Sequence, residues 1–88
     1  MAISITSKDQ DTFSVTVTGS STTTYIVTIS GQIHSKLTSG KISKVTLLKK
    51  SFEFLLQREP NTSILAKFNL EVISQYFSDY AEQASTWQ

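Results

Sequence analysis

The sequence predicts an α+β fold in which a three-stranded antiparallel β-meander is followed by a long helix and a C-terminal helical segment packed on one face. Residues 1–30 alternate apolar and hydroxyl side chains, which is the period-two pattern of a sheet with one dry face and one wet face. From residue 43 onward the large apolar residues recur at intervals of three and four, the spacing of amphipathic helices.

Length and composition predict a single domain over residues 1–88. The chain is 39% apolar and 17% charged, which is typical of an ordinary globular domain. It has no cysteine, and its first residues lack the basic start and apolar core of a signal peptide, so we expect a cytoplasmic protein. The uncharged stretch 12–32 is too rich in hydroxyl side chains to span a bilayer, and we expect no membrane contact.

Three alternating stretches within residues 1–30 predict the strands of the meander. Residues that pair across neighbouring antiparallel strands point to the same face of the sheet. Because the inward apolar residues of all three strands are odd-numbered, the two residue numbers of each pair must add up to an even number. This parity predicts that Ile5 pairs with Phe13 across a three-residue turn at 8–10, and that the next turn, beginning at Gly19, has three or five residues. The apolar residues at the inward positions are Ile3, Ile5, Phe13, Val15, Val17, Tyr25, Val27 and Ile29.

The segment 31–42 loses the alternation and is predicted to be a connection with a short turn of helix at 34–37. Ser43 is then a suitable N-cap for a helix over 43–59, which Pro60 would end. The apolar arc of this helix covers about 200°, so it needs two packing partners, the sheet and the C-terminal segment. The predicted core between sheet and helix consists of Phe13, Val15, Val17, Tyr25, Val27, Leu48, Phe52 and Leu55.

A helical segment is predicted over 61–84. Ile64, Leu65 and Phe68 suggest one or two turns of helix, and Asn69 is placed to cap a further helix. In that further helix the apolar residues follow at spacings of three and four: Leu70, Ile73, Phe77, Tyr80 and Ala84.

The pattern SFEFLLxREPxxSIL, which begins at Ser51, is followed by Phe68, Leu70, Ile73, Tyr76 and Phe77. Through this pattern of residues, the chain resembles a family of small uncharacterised bacterial proteins over residues 22–80. The resemblance implies a compact bacterial domain with a strand-rich N-terminal half and a helical C-terminal half. It implies no activity and no functional residue.

Residues that could carry chemistry are few. His34 precedes Ser35, but adjacent residues do not make a nucleophile and base, and no third group to orient the ring is identifiable, so an exposed loop histidine is favoured. Asp9 and Asp11 lie in a predicted turn that lacks the glycine and distal glutamate of a calcium loop. The run 58–60 is explained as a helix end, where arginine meets the dipole. We therefore expect no enzyme, metal or cofactor.

The formal net charge is +1, but residues 12–52 carry +5 and residues 53–88 carry −3. Such asymmetry is typical of an anion-binding surface or of a solvated face. Lys49 and Lys50 lie within helical reach of Glu53, which favours partial local pairing. The candidate anion-binding residues are Lys36, Lys41, Lys44, Lys49 and Lys50.

Two functional hypotheses follow. The first is a protein-interaction or accessory module, because the helical half has more large apolar residues than one small sheet covers. Its partner would be a second copy in a two-fold homodimer or another chain. The alternative is a nucleic-acid-binding regulator whose lysines contact phosphate, with weak and salt-dependent affinity. The candidate interaction surface of the first hypothesis consists of Leu70, Val72, Ile73, Tyr76, Phe77 and Tyr80.

Overall fold

A computed structural model describes residues 2–19 and 21–87 and confirms the α+β class. Strands β1 (Ala2–Ser7), β2 (Thr12–Thr18) and β3 (Thr22–Thr28) form the predicted antiparallel meander. Ser20, which belongs to the predicted turn between β2 and β3, lies outside the described residues. The inward apolar side chains of β2 and β3 are buried, whereas their outward side chains are mostly threonine and serine that retain contact with water.

The strand register has the predicted parity, but the first hairpin is shifted by two residues. Ile5 pairs with Val15 and not with Phe13. The turn is moved along the chain because a carboxylate oxygen of Asp9 accepts the backbone N–H groups of Asp11 and Thr12, at 3.0 and 2.9 Å. A shift of two residues keeps every side chain on its predicted face.

A fourth strand, β4 (Lys67–Asn69), pairs with β3 in parallel, so the helix predicted through Ile64 and Phe68 is wrong. The Ile26 N–H donates to the carbonyl of Ala66 at 2.8 Å, where the chain enters the new strand. The outer edge of β3 presents backbone donors and acceptors that an adjacent strand can pair and a helix cannot. This long-range demand outweighs the local helical spacing.

Helix α1 (Gly31–Thr38) occupies most of the segment that was predicted as a connection with one turn of helix. The Ser30 hydroxyl caps its start by accepting the Ile33 N–H at 3.2 Å. Its end is marked by Ser39 in the left-handed region, with φ of 55°. Leu37 of this helix is buried. Two features of the sequence could have predicted the helix: a serine at position 30 that can act as its N-cap, and the four-residue spacing of Ile33 and Leu37.

Helix α2 (Lys44–Leu56) begins after the predicted N-cap Ser43, whose hydroxyl accepts a backbone N–H of the first turn. It ends three residues earlier than the predicted boundary at Glu59. The Leu55 carbonyl accepts the N–H groups of both Arg58 and Glu59, at 3.0 and 2.8 Å. The chain therefore tightens into a turn before the proline that follows.

The predicted helical segment 61–84 is interrupted. It begins with a 3₁₀ turn, Asn61–Ser63, and after β4 contains two short helices, α3 (Val72–Tyr76) and α4 (Tyr80–Ser85). The backbone at Phe77 is extended, with φ of −129°, and this residue separates the two helices.

The predicted core is confirmed, because all of its members are buried. The Phe52 ring on α2 lies 5.1 Å from the Tyr25 ring of β3. On another side of α2, Phe54 packs against Tyr80 and Trp87, with ring centroids 5.4 and 6.4 Å away. The wide apolar arc of this helix therefore has the two partners that its width predicted, and Trp87 is docked on the core.

Candidate functional site

An open apolar groove of about 360 Å³ lies between the end of α2, the segment leading into β4, and α3. Leu55 and Ile73 are buried among its lining residues. On its rim, Leu65 is 49% exposed and Tyr76 is 68% exposed, which makes them two of the three large apolar residues exposed in the described part of the chain. The remaining lining residues are Glu59, Ser63, Ile64, Phe68, Val72 and Phe77.

The groove exists because β4 and α3 bring apolar residues to its two sides. Phe68 on β4 packs against the core, with its ring 6.2 Å from that of Phe52. Helix α3 places Val72 and Tyr76 on one side, since residues four apart lie on the same helix face, while Ile73 enters the core. Tyr76 is the last residue of α3 and remains exposed at the rim of the groove.

The chain segment that precedes the groove is fixed to β3 through Asn61. The Asn61 side-chain amide donates to the Ser21 carbonyl at 2.9 Å and to the Thr23 hydroxyl at 3.0 Å. The Tyr25 hydroxyl donates to the Asn61 carbonyl. Because Asn61 is buried, these bonds are expected to hold the segment firmly.

Glu59 is the charged residue on the groove wall. In the ranges 2–19 and 21–87 the ion pairs are Lys44 with Asp11 and Arg58 with Asp79, so Glu59 has no cationic partner there. Arg58 is occupied elsewhere: its guanidinium lies 3.7 Å from the Phe54 ring centroid and 3.0 Å from the Asp79 carboxylate. A guanidinium N–H also donates to the Phe54 carbonyl at 3.2 Å, which agrees with the prediction that Arg58 meets the helix end.

The candidate interaction surface is only partly at the surface. Leu70, Ile73 and Tyr80 belong to the core, with 0%, 3% and 0% exposure, so they are not part of an interaction surface. The core encloses these residues more completely than the sequence indicated. Of the others, Val72 and Phe77 are half-buried groove residues and Tyr76 is exposed.

The predicted interaction surface lacks six of the residues that line the groove, namely Leu55, Glu59, Ser63, Ile64, Leu65 and Phe68. Leu65 and Phe68 were assigned to a helix, and that assignment hid the groove. Glu59 was regarded only as part of a helix end. Ile64 and Leu65 follow Pro60 within five residues, and proline disfavours a helix at this point. This feature could have indicated that the segment is not helical and forms one apolar wall of the groove.

Tyr80 makes a buried hydrogen bond that holds α4 against α2. The Ser51 hydroxyl donates to the Leu47 carbonyl at 2.7 Å, so it accepts from the Tyr80 hydroxyl, 2.6 Å away. Burial raises the pKa of Tyr80 to about 12. This pair lies among core side chains and does not line the groove.

The candidate anion-binding lysines do not all remain available. The Lys44 ammonium lies 2.7 Å from the Asp11 carboxylate and also donates to the Gln10 carbonyl at 3.2 Å. Lys44 therefore closes the first hairpin against α2 and is removed from the set. The predicted pairing of Lys49 and Lys50 with Glu53 is not among the ion pairs of the described residues. The lysines that stay exposed are Lys36, Lys41, Lys49 and Lys50.

His34 is in α1 and half-buried, so the prediction of an exposed loop histidine is wrong. Its imidazole is hydrogen-bonded to the Ile42 carbonyl, which holds the connection to α2 against α1. Backbone N–H groups of Asp11 and Thr12 keep the pKa of the Asp9 carboxyl below its usual range. Among the described residues, no group of three or more His, Cys, Asp or Glu side chains is arranged to hold a metal ion.

No helix in the described ranges is long and apolar enough to cross a membrane. Comparisons with protein-family models, with curated proteins and with solved structures found no match to this chain. The resemblance to small bacterial proteins therefore stays a prediction.

Proposed function

We propose that this protein is a non-catalytic, cytoplasmic interaction module whose apolar groove binds a segment of another protein. The observation that supports it is the exposure of Tyr76 and Leu65 beside the half-buried Phe68 and Val72. Single exposed apolar residues are normal on monomers, whereas a concave group of them is typical of contact sites. Tyrosine is also among the residues that contribute most to binding free energy when a partner buries them.

The charge of the groove defines the chemistry of the partner. Glu59 has no cationic partner in the described part of the chain, and the groove is otherwise lined by apolar residues and Ser63. A partner segment with two or three apolar side chains and a neighbouring lysine or arginine would complement both properties. In a two-fold contact of the groove with itself, both copies would bring a Glu59 carboxylate into the interface and neither groove lining would supply a cation, which disfavours self-association here.

Site-specific photo-crosslinking in the cells that produce the protein tests the proposal. A photoreactive residue at Tyr76 should capture one defined protein. The same residue at Thr24, which is exposed on the opposite face of the sheet, should not capture it. The captured protein is then purified, and its affinity for the groove is measured directly.

Substitutions on the exposed rim separate binding from folding. Tyr76→Ser and Leu65→Ser should each weaken the complex by about tenfold or more, because each removes a side chain that the partner would bury. Thr24→Ser is the matched control and should leave affinity unchanged. Glu59→Gln should weaken binding and reduce its dependence on salt. Equal capture at both positions, or full affinity in both rim variants, would contradict the proposal.

The second candidate is phosphate contact by the exposed lysines. The observation in its favour is that Lys36, Lys41, Lys49 and Lys50 have no carboxylate partner among the described residues. The loss of Lys44 to Asp11 weakens it, because each phosphate contact contributes to affinity.

A further inference from the structure

We propose that a second copy of this chain pairs with the open edge of β1, so that two sheets join into one continuous sheet. The order of the strands is β1-β2-β3-β4, so within residues 2–19 and 21–87 strand β1 has a neighbour on one side only. Among the described residues, no backbone hydrogen bond reaches β1 from outside its hairpin with β2. This proposal concerns self-association and is independent of the partner of the groove.

The two edges of the sheet differ in their protection. Natural edge strands are usually blunted by shortness, by lysine or proline, or by a bulge, because an open edge is a template for another strand. Strand β4 has three residues and begins with the exposed Lys67. Strand β1 has six residues, no charge and no proline, and it pairs with β2 residue for residue without a bulge. Only the β4 edge of the described sheet therefore carries such protection.

The hydrogen-bond pattern identifies which groups β1 presents to a partner. The Lys8 N–H donates to the Thr12 carbonyl at 2.9 Å, so these two residues form a hydrogen-bonded pair of the antiparallel ladder. Such pairs recur at every second residue. The even-numbered residues of β1 therefore bond to β2, and Ile3, Ile5 and Ser7 direct their N–H and C=O groups to the open edge.

These three residues determine the register with a second copy. In a two-fold antiparallel pair, each hydrogen-bonded position must match another edge-directed residue. Placing Ile5 opposite Ile5 of the second copy also places Ile3 opposite Ser7 of the second copy, and uses all three positions on each strand. A shift by two residues in either direction leaves at least one of them unpaired.

The same register extends the apolar layer of the fold. In this register odd-numbered residues pair with odd-numbered residues, so Ile3 and Ile5 of both copies stay on the sheet face that the helices cover. Both side chains are half-buried at the sheet edge, so the second copy would cover the surface that they still expose. On the outward face, Ser4 would lie opposite Thr6 of the second copy, and no charge on either strand opposes the contact.

Sedimentation of the full chain between micromolar and millimolar concentration measures the association. The wild-type protein should shift from monomer toward dimer over this range, because a strand edge alone makes a small interface. The double variant Ser4→Lys with Thr6→Lys would set like charges opposite one another twice across the two-fold axis. Its dimer should be weaker by about tenfold or more. The variant Ser4→Glu with Thr6→Glu should be weakened similarly.

A one-to-one mixture of the lysine and glutamate variants should restore association, since each introduced lysine then faces a glutamate. The control carries two lysines on the same sheet face but two strands away from the edge, Thr22→Lys with Thr24→Lys, and should dimerise like the wild type. All of these positions are exposed, so folding is expected to persist and is checked by circular dichroism.

Amide hydrogen exchange gives a second measurement that needs no variant. The N–H groups of Ile3, Ile5 and Ser7 should become protected as concentration rises, whereas those of Ser4 and Thr6 should be protected at every concentration. A strict monomer at millimolar concentration would overturn the proposal. So would a dimer that the edge lysines leave unchanged, or one that is lost instead with Tyr76→Ser and Leu65→Ser, since the contact would then be the groove.

Discussion

Phe52→Ala should be the most informative test of the core, because this one side chain joins the sheet, α2 and the groove wall. Phe52 is fully buried, and its ring lies 5.1 Å from Tyr25 on β3 and 6.2 Å from Phe68 on β4. Its truncation removes apolar burial from water and leaves a cavity between the sheet and α2.

The expected cost is about 3–5 kcal/mol of unfolding free energy, against a total of about 5–15 kcal/mol for typical domains. Urea denaturation followed by far-ultraviolet circular dichroism measures it. With a slope of about 1–3 kcal/mol per molar urea, the midpoint should fall by roughly 1–5 M or the variant should be unfolded in buffer.

Val45→Ala is the matched control on the same helix. Val45 is 45% exposed, so its truncation should change the unfolding free energy by less than about 0.5 kcal/mol. If Phe52→Ala had a midpoint no lower than Val45→Ala, the reasoning that α2 packs this face on the sheet would be refuted.

Three further outcomes are expected. Folding raises the pKa of Tyr80 from 10.0 to about 12, so the wild-type protein should lose stability as the pH rises between these two values. Tyr80→Phe should remove this contribution, and urea titrations at alkaline pH should show a smaller loss of stability in the variant. Asn61→Ala should cost about 1–3 kcal/mol in the same assay, because it removes both hydrogen bonds that a buried side chain donates, and an unchanged midpoint would contradict this. If the exposed lysines contact phosphate, fluorescence anisotropy should show that the logarithm of the affinity for DNA falls linearly with the logarithm of the salt concentration. A variant with lysines changed to glutamine should bind every DNA sequence more weakly, and by the same factor. Absence of DNA binding at low salt would exclude phosphate contact by these lysines. That variant changes Lys36, Lys41 and Lys49.

The meander and α2 were predictable because local and long-range requirements agree in them. The alternation of residues such as Val15 and Val27 both favours strands and supplies the buried face. Ser43 offers a cap where the helical spacing begins, and the width of the apolar arc correctly indicated two packing partners. The parity of the strand register followed from the same alternation.

The fourth strand was not predictable from spacing, and the groove was lost with it. Ile64 and Phe68 are four residues apart, which locally resembles a helix. What decides their conformation is the unpaired edge of β3, a feature that exists only after the meander has formed. Likewise, burial of Leu70 and Tyr80 depends on how short helices return to the core, which no local pattern specifies.

Chemical-shift mapping with a defined pair of peptides tests most directly the claim that the groove binds a protein segment. One amphipathic peptide carries leucines at helical spacing beside a lysine, and its match carries glutamate in place of that lysine. We predict that amide shifts concentrate at Phe68, Val72 and Tyr76, that the lysine peptide binds more tightly, and that Glu59→Gln removes the difference. Shifts spread evenly over the surface, or equal binding of the two peptides to the wild type, would contradict the account.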